Sequence, residues 1–358
     1  MHHKYPAVYA ALGVCAGLLA CGGSGSTGPT STAPSIACPI APAPVESLDG
    51  SAQPVSFAAP TVTGGQAPLT TTCLPTSGSA FTIGTTTVNC TTSDAQARTA
   101  SCTFPVIVEP PPVLPVSTFL AFGDSITWGE DGRDPGSVNA LGQHVYVQLV
   151  GQTYPDDLQS ALQARYKQQQ VSVTNAGCPG ETLSDPGRFS DKMNCRGIRA
   201  DDPSAFRRFT SLASLHQWDV VLLMEGSNDV NLAAGDSTVL PIAIGYLRQM
   251  IDAGKANGMR VIVATVPPMV PPGAFSRAKG AAVVPTFNDQ VRALATSEGV
   301  PLADVYQAFG SDAPTLIGFD GLHPNPDGYK RIADTFFAAI KNSIETQPAA
   351  VTRARRAR

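Results

Sequence analysis

Residues 121–129 read AFGDSITWG, an apolar run that ends at a glycine and is followed at once by a serine. An apolar run bounded by glycine is typical of a buried strand that turns sharply. Ser125 then lies at the carboxyl end of that strand, where open α/β sheets gather ligands and catalytic groups, so its position suits a nucleophile. Taken alone, a Gly-Asp-Ser turn before a helix is the simpler interpretation.

A serine hydroxyl is a poor nucleophile unless a base removes its proton and a third group orients that base. Residues 320–323 read DGLH, so Asp320 and His323 offer both groups near the C-terminal end of the chain. Ser125, His323 and Asp320 are therefore the candidate catalytic residues.

Apolar runs alternate with amphipathic segments in the second part of the chain. The runs are 120–122, 171–175, 220–224, 261–266 and 302–305, and helices are expected to begin near Pro155, Thr238, Pro285 and Pro326. Five such alternations predict a five-stranded parallel sheet with helices on both faces, a three-layer α/β/α fold. Asn325 before Pro326 is a favourable helix start, because asparagine caps helices well and proline suits the first helical position.

Two further loops follow predicted strands in this part of the chain. Residues 175–177 read NAG, and because Gly177 has no Cβ it can bring its backbone N–H close to a substrate. Residues 225–229 read EGSND, in which Asn228 offers a side-chain amide donor. Loops after parallel strands meet at one edge of the sheet, so we expect both donors to lie near Ser125 and His323.

The blocks GDS, NAG, GSND and DGLH, in that order, resemble the signature of the SGNH hydrolases, the GDSL-type esterase and lipase family. The resemblance covers the whole α/β part and implies a flavodoxin-like SGNH fold. It also implies an esterase in which His323 takes the Ser125 proton and Asp320 orients the imidazole. The N–H groups of Ser125 and Gly177 and the Asn228 amide then form the oxyanion hole.

Two other hydrolase classes fit less well. The nucleophile elbow of α/β-hydrolases requires glycine two residues after the serine, and that residue here is Thr127. Metal-dependent hydrolysis has no HExxH motif to support it, and the histidines of this part are His144, His216 and His323. We therefore expect no metal and no cofactor, and hydrolysis through an acyl-enzyme intermediate.

The substrate is less constrained than the reaction. The segments 130–152 and 180–209 are long for loops of such a sheet and are expected to overhang the site. Basic residues of the second segment would favour an anionic or glycan-linked ester, or simply form a solvated surface: Arg188, Lys192, Arg196, Arg199, Arg207 and Arg208. Lipid esters, carbohydrate acyl esters and thioesters all stay open, as does a cell-surface binding or adhesion protein with an inactive α/β domain.

The N-terminal residues indicate export. Ala7 to Ala20 is an apolar run after a weakly basic start, too short for a comfortable membrane span and typical of a signal peptide. Cys21 then follows a small residue, which resembles a bacterial lipobox and implies lipidation of Cys21, with ordinary cleavage nearby as the alternative. Acyl chains would anchor the protein to a bacterial membrane, facing the periplasm or the cell exterior; without them it would be secreted.

Residues 36–108 consist of short Thr- and Val-rich runs between turn signals, which predicts a β-sandwich of about immunoglobulin size. The sequence at Cys38-Pro39, Gly84–Cys90 and Ser101–Phe104 resembles that of a HYR (hyalin repeat) domain. This part contains no histidine and no cluster of acids. A spacer is therefore its expected role, with adhesion as the alternative.

Export also favours disulfide bonds. Once Cys15 and Cys21 are set aside, the remaining cysteines are Cys38, Cys73, Cys90, Cys102, Cys178 and Cys195. Cys90 and Cys102 can face each other across the last hairpin, but four cysteines in the β part allow three pairings. Cys178 and Cys195 can close the segment 180–209 into a disulfide-bound loop.

Changes of composition along the chain give the expected domain plan. It comprises a signal peptide (1–20), a flexible tether (21–35), a HYR-like β-sandwich (36–108), a proline-rich linker (109–116), the hydrolase domain (117–346) and a basic tail (347–358). A formal net charge of −4 with 15% charged residues gives no sign of nucleic-acid binding. We expect a monomer that binds ester substrates and contacts a membrane only through the lipid expected on Cys21.

Overall fold

The fold comes from a computed structural model that describes residues 32–133, 147–184, 205–234, 236–272 and 278–346. These residues comprise a β-rich N-terminal part and an α/β part.

Short strands make up the β-rich part. They are β1 (Ser35–Ala37), β2 (Val45–Glu46), β3 (Gln53–Pro54), β4 (Thr61–Thr63), β5 (Thr70–Leu74), β6 (Ala80–Phe81), β7 (Gly84–Ser93) and β8 (Thr99–Glu109). One sheet has the order β2-β8-β7-β5, while β1 pairs with β4 and β3 with β6 in two small antiparallel sheets. Alternate residues of the two long strands are buried, among them Val88, Val106 and Val108, so these strands bury one face.

Two disulfide bonds link strands of the β-rich part. Cys38 is bonded to Cys102, and Cys73 is bonded to Cys90, its direct partner in the β5–β7 register. The Cys90–Cys102 pairing that the sequence left open is therefore not formed. Because disulfides persist in oxidising compartments, these bonds indicate an extracytoplasmic location.

A five-stranded parallel sheet forms the centre of the α/β part, as predicted. Its strands are β9 (Thr118–Gly123), β10 (Ser172–Gly177), β11 (Val220–Met224), β12 (Arg260–Ala264) and β13 (Leu302–Ala303). Their order in the sheet is β10-β9-β11-β12-β13, and every neighbouring pair is parallel.

Helices cover both faces of this sheet. They are α1 (Ser125–Trp128), α2 (Tyr154–Arg165), α3 (Ala205–Ala213), α4 (Ser227–Ala233), α5 (Val239–Ala256), α6 (Ala278–Glu298), α7 (Val305–Phe309), α8 (Ala313–Leu316) and α9 (Pro326–Ser343), with a 3-10 turn at Gly310–Asp312. Phe119 and Ala121 of β9 join a core with α2 and α9, whereas Leu120 and Phe122 join a core with α3, α5 and α6. Within the described ranges, no helix has both the length and the apolar character that a bilayer span needs.

The register of the sheet aligns the ends of three strands. Gly123 at the end of β9 pairs with Gly177 at the end of β10 and with Met224 at the end of β11. The loops that follow these strands therefore begin side by side at the carboxyl edge of the sheet. This edge is where an open α/β sheet places its functional groups.

Two predicted helix starts have different outcomes. Asn325 caps α9 as predicted, because its Oδ1 accepts a 3.0 Å hydrogen bond from the N–H of Gly328. The predicted start near Pro285 is wrong, since α6 begins at Ala278 and contains Pro285 in its interior. Val284 is fully buried in the core, so we infer that its packing outweighs the hydrogen bond that the proline cannot make.

The second half of the proline-rich segment is attached to the α/β part. The N–H of Val113 donates to Thr346 O at 3.0 Å, and the N–H of Thr346 donates to Val113 O at 2.9 Å. Leu114 is buried, and its N–H and carbonyl both bond the Gln169 side-chain amide, at 2.8 and 2.7 Å. The position of the boundary between the two domains stays a prediction.

Candidate active site

Ser125 is the first residue of α1, directly after the turn that ends β9. Asp124 caps this short helix, because its Oδ1 accepts a 2.9 Å hydrogen bond from the N–H of Ile126. Only 4% of the Ser125 surface is exposed. The hydroxyl is thus held in a fixed turn at the carboxyl edge of the sheet.

Ser125, His323 and Asp320 form a continuous chain of hydrogen bonds. Ser125 Oγ lies 2.8 Å from His323 Nε2, and His323 Nδ1 bonds Asp320 Oδ2 on the other side of the ring. All three side chains are buried. The structure therefore brings together the three residues that the sequence predicted to act as nucleophile, base and orienting acid.

Asp320 is fixed by the backbone of its own loop. Its Oδ1 accepts hydrogen bonds from the N–H groups of Leu322 and His323, at 2.8 and 2.9 Å. With both oxygens engaged as acceptors, the carboxylate favours a proton on Nδ1 of the imidazole. Nε2 is then left as the acceptor for the Ser125 hydroxyl, which is the tautomer that a general base needs.

Gly177 is the last residue of β10 and lies against the nucleophile helix. Its N–H donates to Asn175 Oδ1 at 2.9 Å, so this donor is occupied by a side chain of its own strand. A Cβ on Gly177 would lie 1.9 Å from the backbone nitrogen of Trp128, well inside van der Waals contact. Glycine is thus required here because the end of β10 packs directly on the backbone of the nucleophile helix.

Asn228 belongs to the first turn of α4 and is hydrogen-bonded to the turn that follows Gly177 in the chain. Its Nδ2 donates to the carbonyl of Glu181 at 2.9 Å, which leaves the second N–H of the amide available. Gly180, the residue before Glu181, has a positive φ of 79° in this turn. Among the described residues, no acceptor bonds the backbone N–H of Gly180. The Asn228 amide is therefore bonded one residue away from an available backbone donor.

Arg208 of α3 is a buried cation that ties this turn to the sheet. Its guanidinium forms an ion pair with Glu181 and donates to Ala176 O at 2.7 Å and Gly123 O at 3.1 Å. It also lies over the Phe122 ring, 3.9 Å from the centroid. The side chains of Arg208 and Glu181 are 7% and 4% exposed, so Arg208 is not the substrate-facing charge that the sequence suggested.

Burial dominates the titration of the carboxyl groups around the nucleophile turn. It raises the pKa of Asp124 to about 6, although the hydrogen bond from Ile126 opposes the shift. Burial, followed by the charge of Asp124, raises the pKa of Glu225 well above its usual range. Among the described residues, Asp124 Oδ2 and both Glu225 oxygens have no hydrogen-bond partner. Burying a carboxyl group without a hydrogen-bond partner costs less free energy when the group is protonated than when it is ionised.

Several predicted features lie wholly or partly outside the described residues. Cys178 is disulfide-bonded, but Cys195 lies outside the described residues, so the Cys178–Cys195 bond stays a prediction. The basic residues Arg188, Lys192, Arg196 and Arg199 also lie there, as do Cys21 and His144. Arg207 is described and exposed.

Sequence reasoning missed two acidic residues of the site. One is Glu130, whose Oε2 lies 3.3 Å from His323 Nε2. An acidic residue after a glycine in a loop is usually solvated, so nothing in the sequence indicated that Glu130 belongs to the site. Asp229 accepts hydrogen bonds from the N–H groups of Leu183 and Ser184, at 2.9 and 2.8 Å, and so ties the loop after β10 to α4. The position of Asp229 beside Asn228 could have indicated from the sequence that Asp229 belongs to the site. Within the described ranges, no cluster of His, Cys, Asp and Glu could hold a metal ion.

We predict that Arg208→Met destabilises the protein by about 3–5 kcal/mol, because it leaves the Glu181 carboxylate buried without its partner. Burial raises the pKa of Glu181 and Arg208 opposes that shift, so loss of the arginine raises the pKa further. The destabilisation should therefore be largest at high pH and should lessen as the pH falls and Glu181 takes up a proton. Urea unfolding from pH 5 to 8 measures it.

The matched control is the double variant Arg208→Met/Glu181→Gln, which removes both charges and should recover part of the lost stability at high pH. Equal stabilities of the single and double variants at pH 8 would contradict this account of the pair.

Solved structures that resemble this chain include LAE5, an α/β hydrolase enzyme from the metagenome of Lake Arreo, Spain. It is 24% identical, with a TM-score of 0.45, over 62% of this chain and 94% of that chain. The native M. smegmatis aryl esterase is 18% identical, with a TM-score of 0.49, over 63% and 99%. Est24, a carbohydrate acetylesterase from Sinorhizobium meliloti, is 17% identical, with a TM-score of 0.48, over 63% and 99%. No curated protein matches the chain.

Two family models match separate parts of the sequence. The HYR domain matches residues 30–108, which contain both disulfide bonds of the β-rich part. The model of the GDSL-like Lipase/Acylhydrolase family matches residues 121–331, a range that includes Ser125, Asp320 and His323. Because that range is more than half of the 358 residues, the chain belongs to the GDSL-like lipase and acylhydrolase family, with a HYR domain before its esterase domain.

Proposed function

We propose that this protein is an exported serine esterase that hydrolyses carboxylic esters through an acyl-enzyme intermediate. Ser125 is the nucleophile, His323 the general base and acid, and Asp320 the acid that orients it. The observation that carries the proposal is the unbroken hydrogen-bond chain through the three buried side chains. A binding protein that had lost turnover would not need this alignment.

Acylation begins with proton transfer from Ser125 Oγ to His323 Nε2 as the oxygen attacks the ester carbonyl carbon. The carbonyl oxygen takes up the electron pair of the broken π bond and becomes an oxyanion. When the tetrahedral intermediate collapses, the bond to the leaving oxygen breaks and Nε2 returns the proton to that oxygen, which releases an alcohol. Water then repeats the same steps on the acyl-enzyme and releases the carboxylic acid.

The oxyanion requires donors that are fixed before its charge develops. We propose the N–H of Ser125 and the Asn228 amide for this role, together with a backbone N–H from the loop after β10. Gly177 is the donor expected from the sequence, but Asn175 occupies its N–H in this structure. We favour Gly180 instead, because its N–H has no acceptor among the described residues and its neighbour Glu181 bonds Asn228.

Asn228→Ala tests the oxyanion hole. Loss of one preorganised donor should lower kcat by about 100- to 1,000-fold, while loss of the bond to Glu181 should lower stability by only about 1 kcal/mol. Steady-state kinetics with p-nitrophenyl acetate and urea unfolding measure the two effects. Asn257→Ala is the matched control, because it removes a similar amide bond to Ala253 O, 2.8 Å long, at the end of α5. Similar kcat values for the two variants would count against the role of Asn228.

Ser125→Ala tests the nucleophile. The variant should hydrolyse no p-nitrophenyl acetate and should not react with a fluorophosphonate probe, because alanine has no hydroxyl to acylate. Ser160→Ala, which changes an exposed serine of α2, is the control and should retain both properties. Turnover by Ser125→Ala at the wild-type rate would overturn the assignment.

The substrate class is proposed only as an ester of a lipid or carbohydrate acyl group, with thioesters open. Arg208 gives no support to an anionic substrate, because its charge is bonded inside the protein. Hydrolysis rates of p-nitrophenyl esters with increasing acyl length separate short-chain deacetylases from lipases. We propose that the protein acts as a monomer and that the HYR domain is a spacer.

We also propose that residues 1–20 are a signal peptide and that Cys21 is lipidated after cleavage. The sequence supports this proposal, and Cys21 lies outside the described residues. In a bacterial host the protein should fractionate with membranes, whereas Cys21→Ala should be released in soluble form, because single acyl chains add about 0.8 kcal/mol of binding per buried CH2. Cys15→Ala should behave like the wild type. Equal solubility of wild type and Cys21→Ala would indicate ordinary cleavage.

A further inference from the structure

Glu130 lies beside the catalytic imidazole, on the same ring nitrogen as the nucleophile. Glu130 Oε2 is 3.3 Å from His323 Nε2, and Ser125 Oγ is 2.8 Å from that nitrogen. Glu130 is 5% exposed and His323 4% exposed. Among the described residues, a hydroxyl and a carboxyl oxygen thus lie beside Nε2, in a setting that largely excludes bulk water.

The backbone of Glu130 is fixed from two sides. Its N–H donates at 3.0 Å to the carbonyl oxygen of Ser125, the first residue of the nucleophile helix. Its carbonyl accepts a 2.7 Å hydrogen bond from the buried Tyr329 hydroxyl of α9. The side chain thus starts from a backbone that is bonded both to the nucleophile helix and to the helix that follows His323.

The next residues attach this segment to the loop that carries the acid and the base. The N–H of Asp320 donates to Gly132 O at 3.2 Å. A Cβ on Gly132 would lie 1.9 Å from the carbonyl oxygen of His323, so the two backbones are in direct contact. The backbone from which the Glu130 side chain approaches His323 is therefore held by packing against the loop of Asp320 and His323.

We propose that Glu130 is a positioning residue that acts through His323 and stabilises its protonated imidazole between the two proton transfers. The inference rests on the proposed esterase function. Once the Ser125 proton has moved to Nε2, the ring carries a positive charge, with Asp320 at Nδ1 and Glu130 at Nε2. The proton stays on the ring until the ester bond breaks and then passes to the leaving oxygen. Glu130 supplies opposite charge, and no bond to it forms or breaks.

Within the described ranges, three carboxyl groups act on His323. Asp320 belongs to the same loop, Glu130 follows α1, and Asp124 acts on the ring from the cap of α1. Tyr329 of α9 faces the Glu130 carbonyl, but burial and then the Glu130 charge raise its pKa well above its usual range, so it stays neutral. Among these groups, Glu130 is the carboxyl that shares Nε2 with Ser125.

Glu130→Gln preserves the shape of the side chain and removes its charge. With less negative charge beside it, His323 should lose its proton at lower pH, so the acid limb of the pH profile of kcat/KM should move down by about one pH unit. Loss of the same stabilisation of the protonated imidazole should lower kcat for p-nitrophenyl acetate about tenfold, because one pKa unit corresponds to a factor of ten. The KM for this neutral ester should not change. A purely structural role of Glu130 would not move the acid limb.

Asp131→Asn is the matched control. It removes the neighbouring negative charge, which is bonded to Arg133 at 3.0 Å and does not contact His323, so its acid limb should coincide with that of the wild type. Glu130→Asp keeps the negative charge but places it farther from His323, because aspartate is one methylene shorter. The acid limb of this variant should lie between those of the wild type and Glu130→Gln. This variant also tests the proposal if Glu130→Gln does not fold.

The outcomes separate the inference from the proposed function. Glu130 variants that react with the fluorophosphonate probe but keep the wild-type acid limb would overturn the role of Glu130 and leave the esterase intact. A wild-type protein that neither reacts with the probe nor hydrolyses the ester would overturn the proposed function itself.

Discussion

The alignment of three strand ends is the constraint on which the site depends. Gly123, Gly177 and Met224 lie in one row of the sheet, and a slip by one residue would turn every side chain of a strand to the opposite face. The buried guanidinium of Arg208 reinforces this row, because it bonds the carbonyls of Gly123 and Ala176 on neighbouring strands. The nucleophile, the loop after β10 and the Asn228 helix all start from this row.

The electrostatics of the site are dominated by buried acids. The carboxyl groups around the described active site are Asp124, Glu130, Glu181, Glu225, Asp229 and Asp320, each at most 7% exposed. Arg208 neutralises one of them, and burial raises the pKa of others, so that these hold their protons more tightly. The remaining negative charge favours a positive imidazole. This is the charge that His323 acquires while the ester carbonyl is tetrahedral.

The parts of the structure that were predicted correctly from the sequence are local. The GDS and DGLH blocks each fix a short turn, and strong apolar runs place the five strands, so the sheet and the contact of Ser125 with His323 followed. Features that depend on which elements pack against a segment, without a motif of their own, were not accessible. The burial of Val284 carries α6 past Pro285, and the disulfide pairing depends on which strands are neighbours.

The same distinction applies within the site. Glu130 reaches His323 only because the segment after α1 packs on a loop almost two hundred residues later, which no local pattern records. Gly177 was expected to bring its N–H to the substrate, and the structure gives a second reason for glycine at this position, because the Trp128 backbone lies against it. Its role in the oxyanion hole stays a prediction. A small residue at a loop is compatible with both explanations until the neighbouring backbone is seen.

The paired backbone hydrogen bonds between Val113 and Thr346 have a consequence for how this domain is joined to others. They close the domain into a loop whose entry and exit lie next to each other, an arrangement common in modules that evolution inserts into or permutes within larger proteins. The two ends of the segment from Val113 to Thr346 thus lie side by side. A partner module fused after residue 346 would emerge beside Val113, without threading through the fold.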